Sequence, residues 1–92
     1  MDLLHTPLTV ARDVTDVVID GEAVLMDAHS GTYFGLDEVG TAIWRLIRGS
    51  ATGAAIVDHL QQELGVSRSI LTNDVERFIR ELHTRRLVVA SS

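Results

Sequence analysis

Val14-Thr15-Asp16-Val17-Val18-Ile19-Asp20-Gly21-Glu22-Ala23-Val24-Leu25-Met26-Asp27 is the stretch on which the fold turns. Its first run is rich in β-branched residues, which suit a pleated, half-buried surface. The Asp20-Gly21 pair accepts the positive φ angles of a two-residue hairpin turn, and a second apolar run returns from it. Ala28-His29-Ser30-Gly31 then reads as another turn, and Thr32-Tyr33-Phe34-Gly35-Leu36 as a third strand. The three runs predict an antiparallel meander. Upstream, Leu8-Thr9-Val10 is a short extended piece behind Pro7, which has no amide to give to a ladder.

The rest of the chain changes period. Asp37 is placed to cap a helix running to about Arg48, with Val39, Ala42, Ile43, Leu46 and Ile47 at helical spacing. Gly49 stands where a left-handed C-cap is expected. Thr52 caps a second helix carrying Ile56, Val57, Leu60 and Leu64, which Gly65 closes. Ser67 caps a third, running to about Arg85 with Leu71, Val75, Phe78, Ile79 and Leu82 on one stripe, and Leu87-Val88-Val89 packs back as a tail. A three-stranded sheet followed by three amphipathic helices predicts an α+β domain with the helices over one sheet face. The last two helices have helix-turn-helix proportions.

A chain of 92 residues is one domain, 1–92, with its core expected over 8–89. No apolar run approaches the roughly 20 residues that cross a bilayer. Nor does the N-terminus have the basic-then-apolar form of a signal peptide, so the chain is read as cytoplasmic and without a membrane partner. Without cysteine there is no disulfide, thiolate metal site or cysteine nucleophile. The net charge of −5 is uneven. Three arginines face ten carboxylates through Val66, a balance of −7, and five face three from Ser67 onward, a balance of +2. An acidic total argues against nucleic acid, whose phosphates need a basic face.

Catalytic chemistry is hard to assemble from these residues. His5, His29, His59 and His83 lie too far apart for a local zinc motif. No serine sits in a Gly-x-Ser-x-Gly elbow, and no glycine-rich loop precedes a helix in phosphate-binding form. The expectation is a protein that is not an enzyme and takes no cofactor or metal.

A binding surface is easier to build. The outer strands of a meander present unpaired amides and carbonyls that can accept an extended peptide. Thr32-Tyr33-Phe34-Gly35-Leu36 has neither charge nor proline to guard such an edge. On the third helix, Ile70, Asp74, Arg77 and Glu81 form a stripe beside the buried one, with Phe78 on the border. Spacing alone leaves two readings open: the rim of a peptide groove, or an ordinary solvated face.

Longer segments resemble the PqqD-like family. Val24-Leu25-Met26-Asp27-Ala28-His29-Ser30-Gly31-Thr32-Tyr33-Phe34-Gly35-Leu36-Asp37, then Gly40-Thr41-Ala42-Ile43-Trp44-Arg45-Leu46-Ile47 and Gly49, then Asp74-Val75-Glu76-Arg77-Phe78-Ile79-Arg80-Glu81-Leu82 and Leu87-Val88, carry the likeness. It spans about Gly21 to Val89. The resemblance implies a winged-helix-like recognition element for ribosomally synthesised, post-translationally modified peptides. In such an element the leader of a precursor peptide adds as a fourth antiparallel strand to the third strand, against the third helix. The implied contacts are Thr32, Tyr33, Phe34, Gly35, Leu36, Ile70, Asp74, Arg77, Phe78 and Glu81.

Within the family, this pattern is most similar to the stand-alone leader-binding protein of lasso-peptide biosynthesis. That implies a separate leader peptidase as partner, with a macrolactam cyclase acting afterwards, and a leader carrying a Tyr-x-x-Pro element that needs an aromatic pocket near Tyr33, Phe34 and Phe78. Asp37 stands where the family often has asparagine, and Arg48-Gly49 replaces the Asp-Gly common in PqqD itself. Two rivals remain: a peptide chaperone for a radical-SAM enzyme, and a winged-helix DNA-binding module offering Arg68, Arg77, Arg80, Arg85 and Arg86.

Overall fold

Asp20 and Gly21 adopt φ angles of 53° and 83°. These are the values a two-residue hairpin turn demands, and they pin the register from Ile19 opposite Glu22 to Val14 opposite Asp27. The computed structural model describes residues 2–49 and 52–90. The order is β1 (Leu8–Val10), β2 (Val14–Ile19), β3 (Glu22–Asp27), β4 (Thr32–Gly35), α1 (Glu38–Arg48), α2 (Gly53–Leu64), α3 (Arg68–Thr84) and β5 (Val88–Ala90). No described helix is long and apolar enough to cross a membrane.

The predicted meander is the sheet β2-β3-β4, with β2 and β4 at its margins. The α+β expectation holds, and a second small sheet is added to the meander. Leu8–Val10 and Val88–Ala90 form a second, two-stranded antiparallel ladder, with Leu8 opposite Ala90 and Val10 opposite Val88. The ladder continues in a bond from the Ala11 amide to the Leu87 carbonyl (3.0 Å). Neither three-residue piece could hold an extended shape alone; each is fixed by the other and by burial of Leu8 and Val88. The third strand also ends one residue earlier than expected. Leu36 still donates to the Ala23 carbonyl (2.8 Å), but the Ala23 amide turns to the Thr41 hydroxyl (2.8 Å). The chain there peels from the sheet into α1, and buried Thr41 fastens that helix to β3.

The helix ends follow local chemistry with two exceptions. Asp37 Oδ1 accepts from the Gly40 amide (2.7 Å) and Thr52 Oγ1 from the Ala55 amide (3.2 Å). Gly65 closes α2 at φ 65°, in the left-handed region. Gly49 does not: it stays at φ −82°, its amide bonded to the Arg45 and Leu46 carbonyls, so α1 ends without a left-handed residue. Ser67 occupies the N-cap of α3, but its hydroxyl pairs with that of Ser69 (3.1 Å) instead of capping the backbone.

The core lies between the inner sheet face and the helices. Leu25, Trp44, Ile47, Ile56, Ile79 and Leu82 are its largest closed side chains, joined by Leu3 and Leu8 from the N-terminal segment. In α1 the buried face is Gly40, Thr41, Ile43, Trp44 and Ile47, rotated from the expected stripe so that Val39 is exposed. Leu64 of α2 is likewise exposed. Gly53 lies under the N-terminal segment: a Cβ there would stand 2.9 Å from the Leu4 Cα, and the Leu4 carbonyl accepts the Ala54 amide (2.8 Å). Those first residues are thereby part of the fold.

Candidate functional site

Register decides which way each residue of β4 faces. Phe34 lies opposite Leu25, which is fully buried, so Phe34 turns to the helices; Tyr33 lies opposite Met26 and turns to the other sheet face. Tyr33 is 71% exposed there, beside Thr15, Val17, Val24 and Met26. Tyr33 and Phe34 therefore cannot wall one pocket together, and the aromatic pocket expected from Tyr33, Phe34 and Phe78 lacks Tyr33's ring. Leu36 is buried in the core, and Ile70 is exposed outside the depression described below.

The backbone of β4 is oriented by the same alternation. Because Leu36 donates inward to Ala23, Phe34 shares the inward-bonded register, and the amides and carbonyls of Tyr33 and Gly35 point away from β3. β4 ends the sheet, and the N-terminal strand that could have covered this margin pairs with β5 instead. The margin is open. A Cβ built on Gly35 would meet nothing within 4 Å, so the backbone can be closely approached there.

Beside the margin runs α3. Asp74, Arg77, Phe78 and Glu81, four of the residues singled out from the sequence, come together with Asp37, Val39, Gly40 and Ile43 around a depression of about 380 Å³. Its floor is the first turn of α1, where Gly40 lets the Phe78 ring approach closely: a Cβ on Gly40 would stand 3.3 Å from the ring. Across the margin, the Arg85 guanidinium lies 4.5 Å above the Phe34 ring and its Nε donates to Glu81 (3.3 Å). Sequence reading missed Arg85, Val39, Gly40 and Ile43 as lining residues. Arg85 continues the Asp74-Phe78-Glu81 spacing by four residues, so that signal was present.

Charges near the site are mutually arranged. Arg77 donates to Asp74 (2.7 Å), and Arg80 sits 3.6 Å from Glu76. Asp27, at the turn into β4, accepts from the Ser30 hydroxyl (2.9 Å) and the His29 amide (3.0 Å), and these bonds hold its carboxyl below the usual carboxylate range. Among the described residues no three His, Cys, Asp or Glu side chains are grouped to hold a metal ion.

Residues 22–88 match the family of coenzyme PQQ synthesis protein D (PqqD). The chain belongs to the PqqD family. Two solved structures resemble it closely. TbiB1 in complex with the TbiA(beta) leader peptide aligns at a TM-score of 0.86 and 34% identity, over 91% of this chain and 98% of that one. Lasso peptide synthetase B1 complexed with the leader peptide aligns at 0.83 and 20% identity, over 89% and 96%; at that identity the likeness speaks for the PqqD fold alone. No curated protein matches. The family match begins at Glu22, so β1 and β2 are structural parts of this PqqD-family domain that lie outside the matched span.

Proposed function

We propose that this chain binds the leader of a ribosomally synthesised precursor peptide, of the lasso-peptide class, and hands it to a separate leader peptidase without catalysing a bond change itself. The observation that carries the reading is the open margin of β4, with the Tyr33 and Gly35 backbones directed outward beside the Asp74–Arg85 stripe of α3. An extended leader adds there as a fourth antiparallel strand. Main-chain bonds to Tyr33 and Gly35 set its register, while Phe78, Val39 and Ile43 offer the apolar contacts near its N-terminal half. TbiB1, at 34% identity, was solved with a leader peptide, which supports the same ligand class here. Docking concentrates the precursor near the peptidase, an effective-concentration effect that needs no reactive group in this chain.

The DNA-binding alternative loses ground on pairing: Arg68, Arg77, Arg80 and Arg85 each contact a carboxylate, those of Asp58, Asp74, Glu76 and Glu81. These pairs offset the positive charge that phosphates would need.

The test is calorimetric titration with the synthetic leader encoded beside this gene, for the native protein and for Gly35→Pro. Proline removes only an outward amide, at an edge position where proline is tolerated. Binding by the native chain, with loss of about tenfold or more in Gly35→Pro at an unchanged melting temperature, is the expected result. Equal affinities would remove strand addition from the reading, and no binding by the native chain would remove the leader.

A further inference from the structure

The groove along α3 does not stop at Glu81. The depression under Phe78 shares Arg77 and Glu81 with a second hollow lined by Arg77, Arg80, Glu81, Thr84 and Arg85. Arg85 in turn is shared with a third, of about 360 Å³, formed by Ala11, Arg12 and Asp13 of the β1–β2 connection, Asp27, His29 and Ser30 before β4, and Arg86. Each hollow thus shares lining residues with the next, and the three form a track. It is electrically polar: Asp37 and Asp74 line its start, whereas Arg12, Arg85 and Arg86 gather at its end.

Asp13 and Asp27 also stand at the arginine end, so three arginines against two carboxylates leave it at +1, whereas Asp37, Asp74 and Glu81 against Arg77 leave the start at −2. Arg12 and Arg86 make no ion pair among the described residues, unlike every other arginine after Ser67. Arg86 is held at φ 61°, a conformation rare for a side-chain-bearing residue, with its amide bonded to the His83 carbonyl (3.0 Å). That conformation closes α3, with the Leu87 amide returning to the Leu82 carbonyl (2.9 Å), and the Arg86 side chain lines the hollow.

From this track we infer that the arginine end is a subsite for an acidic side chain of the docked peptide, on the side of the bound strand leading to the peptide's C-terminus. The inference rests on the leader reading above. A guest antiparallel to β4 runs from the Asp37 end toward Ser30, so its C-terminal continuation arrives at Arg12 and Arg86. The rise from Asp74 to Arg85 is about 16 Å at 1.5 Å per helical residue, the span of about five extended residues. An acid placed that far beyond the residue at Asp74 reaches the arginines, and a reversed peptide would set it against Asp37 and Asp74. The charge pattern thus selects direction as well as composition.

The experiment is a charge scan. The synthetic leader encoded beside this gene is made with Glu, Gln or Lys at each position on either side of the β-paired segment, and each peptide is titrated by fluorescence anisotropy at 50 mM and 500 mM NaCl. On the C-terminal side, one or two adjacent positions should bind about three- to fivefold tighter with Glu than with Lys. The preference should fade at high salt and vanish in Arg12→Gln/Arg86→Gly, where glycine accepts the φ that Arg86 adopts. On the N-terminal side the order should reverse. Equal binding of Glu and Lys peptides throughout the C-terminal side overturns the subsite while leaving leader binding intact, as does a preference that survives in the double variant. The scan on the native protein decides the matter even if the double variant melts early. Failure of the unmodified leader to bind is a separate result, which sinks the leader reading and this subsite with it.

Discussion

Asp16 ties the sheet margin β2 to helix α1: its carboxylate accepts from the Trp44 indole and from Arg48 (2.7 Å). Its side chain is only 16% exposed, and the indole bond first, then Arg48, holds its carboxyl below the usual range. Asp16→Asn should cost about 1–2 kcal/mol at neutral pH, read from urea unfolding followed by Trp44 fluorescence. A depressed folded pKa means the contribution is fully present above the unfolded value of about 3.9 and is lost as pH falls through the folded value. Native and variant stabilities should therefore begin to approach each other below about pH 4 and converge only once pH falls under the depressed folded value; a gap that persists below it would mean the charge is not what matters. Arg77 is the opposite case. It is 78% exposed on the groove rim, and its pair with Asp74 adds little to folding. Arg77→Ala should leave the melting temperature unchanged and weaken leader binding about two- to fivefold, by titration. At this scale sequence reading placed Asp74, Arg77, Phe78 and Glu81 together because helical spacing is enough to do so. It could not tell Tyr33 from Phe34, since alternation separates neighbours without saying which of them faces the helices; only the register with Leu25 decides that.

The contact between α1 and α3 gives the groove its floor, and Gly40 sets its depth. Gly40→Ala would gain about 1 kcal/mol of helix propensity. Its Cβ would also stand 3.1 Å from Asp37 Oδ1 and 3.3 Å from Phe78, so the ring must shift into the depression. Net stability should change by less than about 1 kcal/mol while leader affinity falls about fivefold, and undiminished affinity would show that the Phe78 end is not occupied. The main elements were legible, because six-residue strands around Asp20-Gly21 and capped amphipathic helices carry strong local signals. The β1–β5 ladder was not. Three residues show too little alternation to declare a strand, and their partners are some eighty positions away in sequence. The rotation of α1 was missed for a related reason: Gly40 and Thr41 are buried by contact with Phe78 and β3, which hydropathy cannot register.

The whole molecule stands or falls on its N-terminal segment, although the family match starts only at Glu22. Leu3 and Leu8 are 3% and 1% exposed, and β1 lies in the ladder with β5. Leu8→Ala should cost about 2–4 kcal/mol in chemical denaturation, a large part of the roughly 5–10 kcal/mol available to a domain of this size. The folded fraction should still bind leader normally, because Leu8 lies outside the groove. A cost below about 1 kcal/mol would mean the ladder is ornamental. That ladder also sets Leu8 directly across from Ala90 and Thr9 across from Val89, about 5 Å apart as antiparallel partners are, so segments some eighty positions apart in sequence lie side by side. Thr9 and Val89 face each other on the exposed side of that ladder, so a disulfide engineered between those two positions would clamp both segments together and close a loop of some eighty residues.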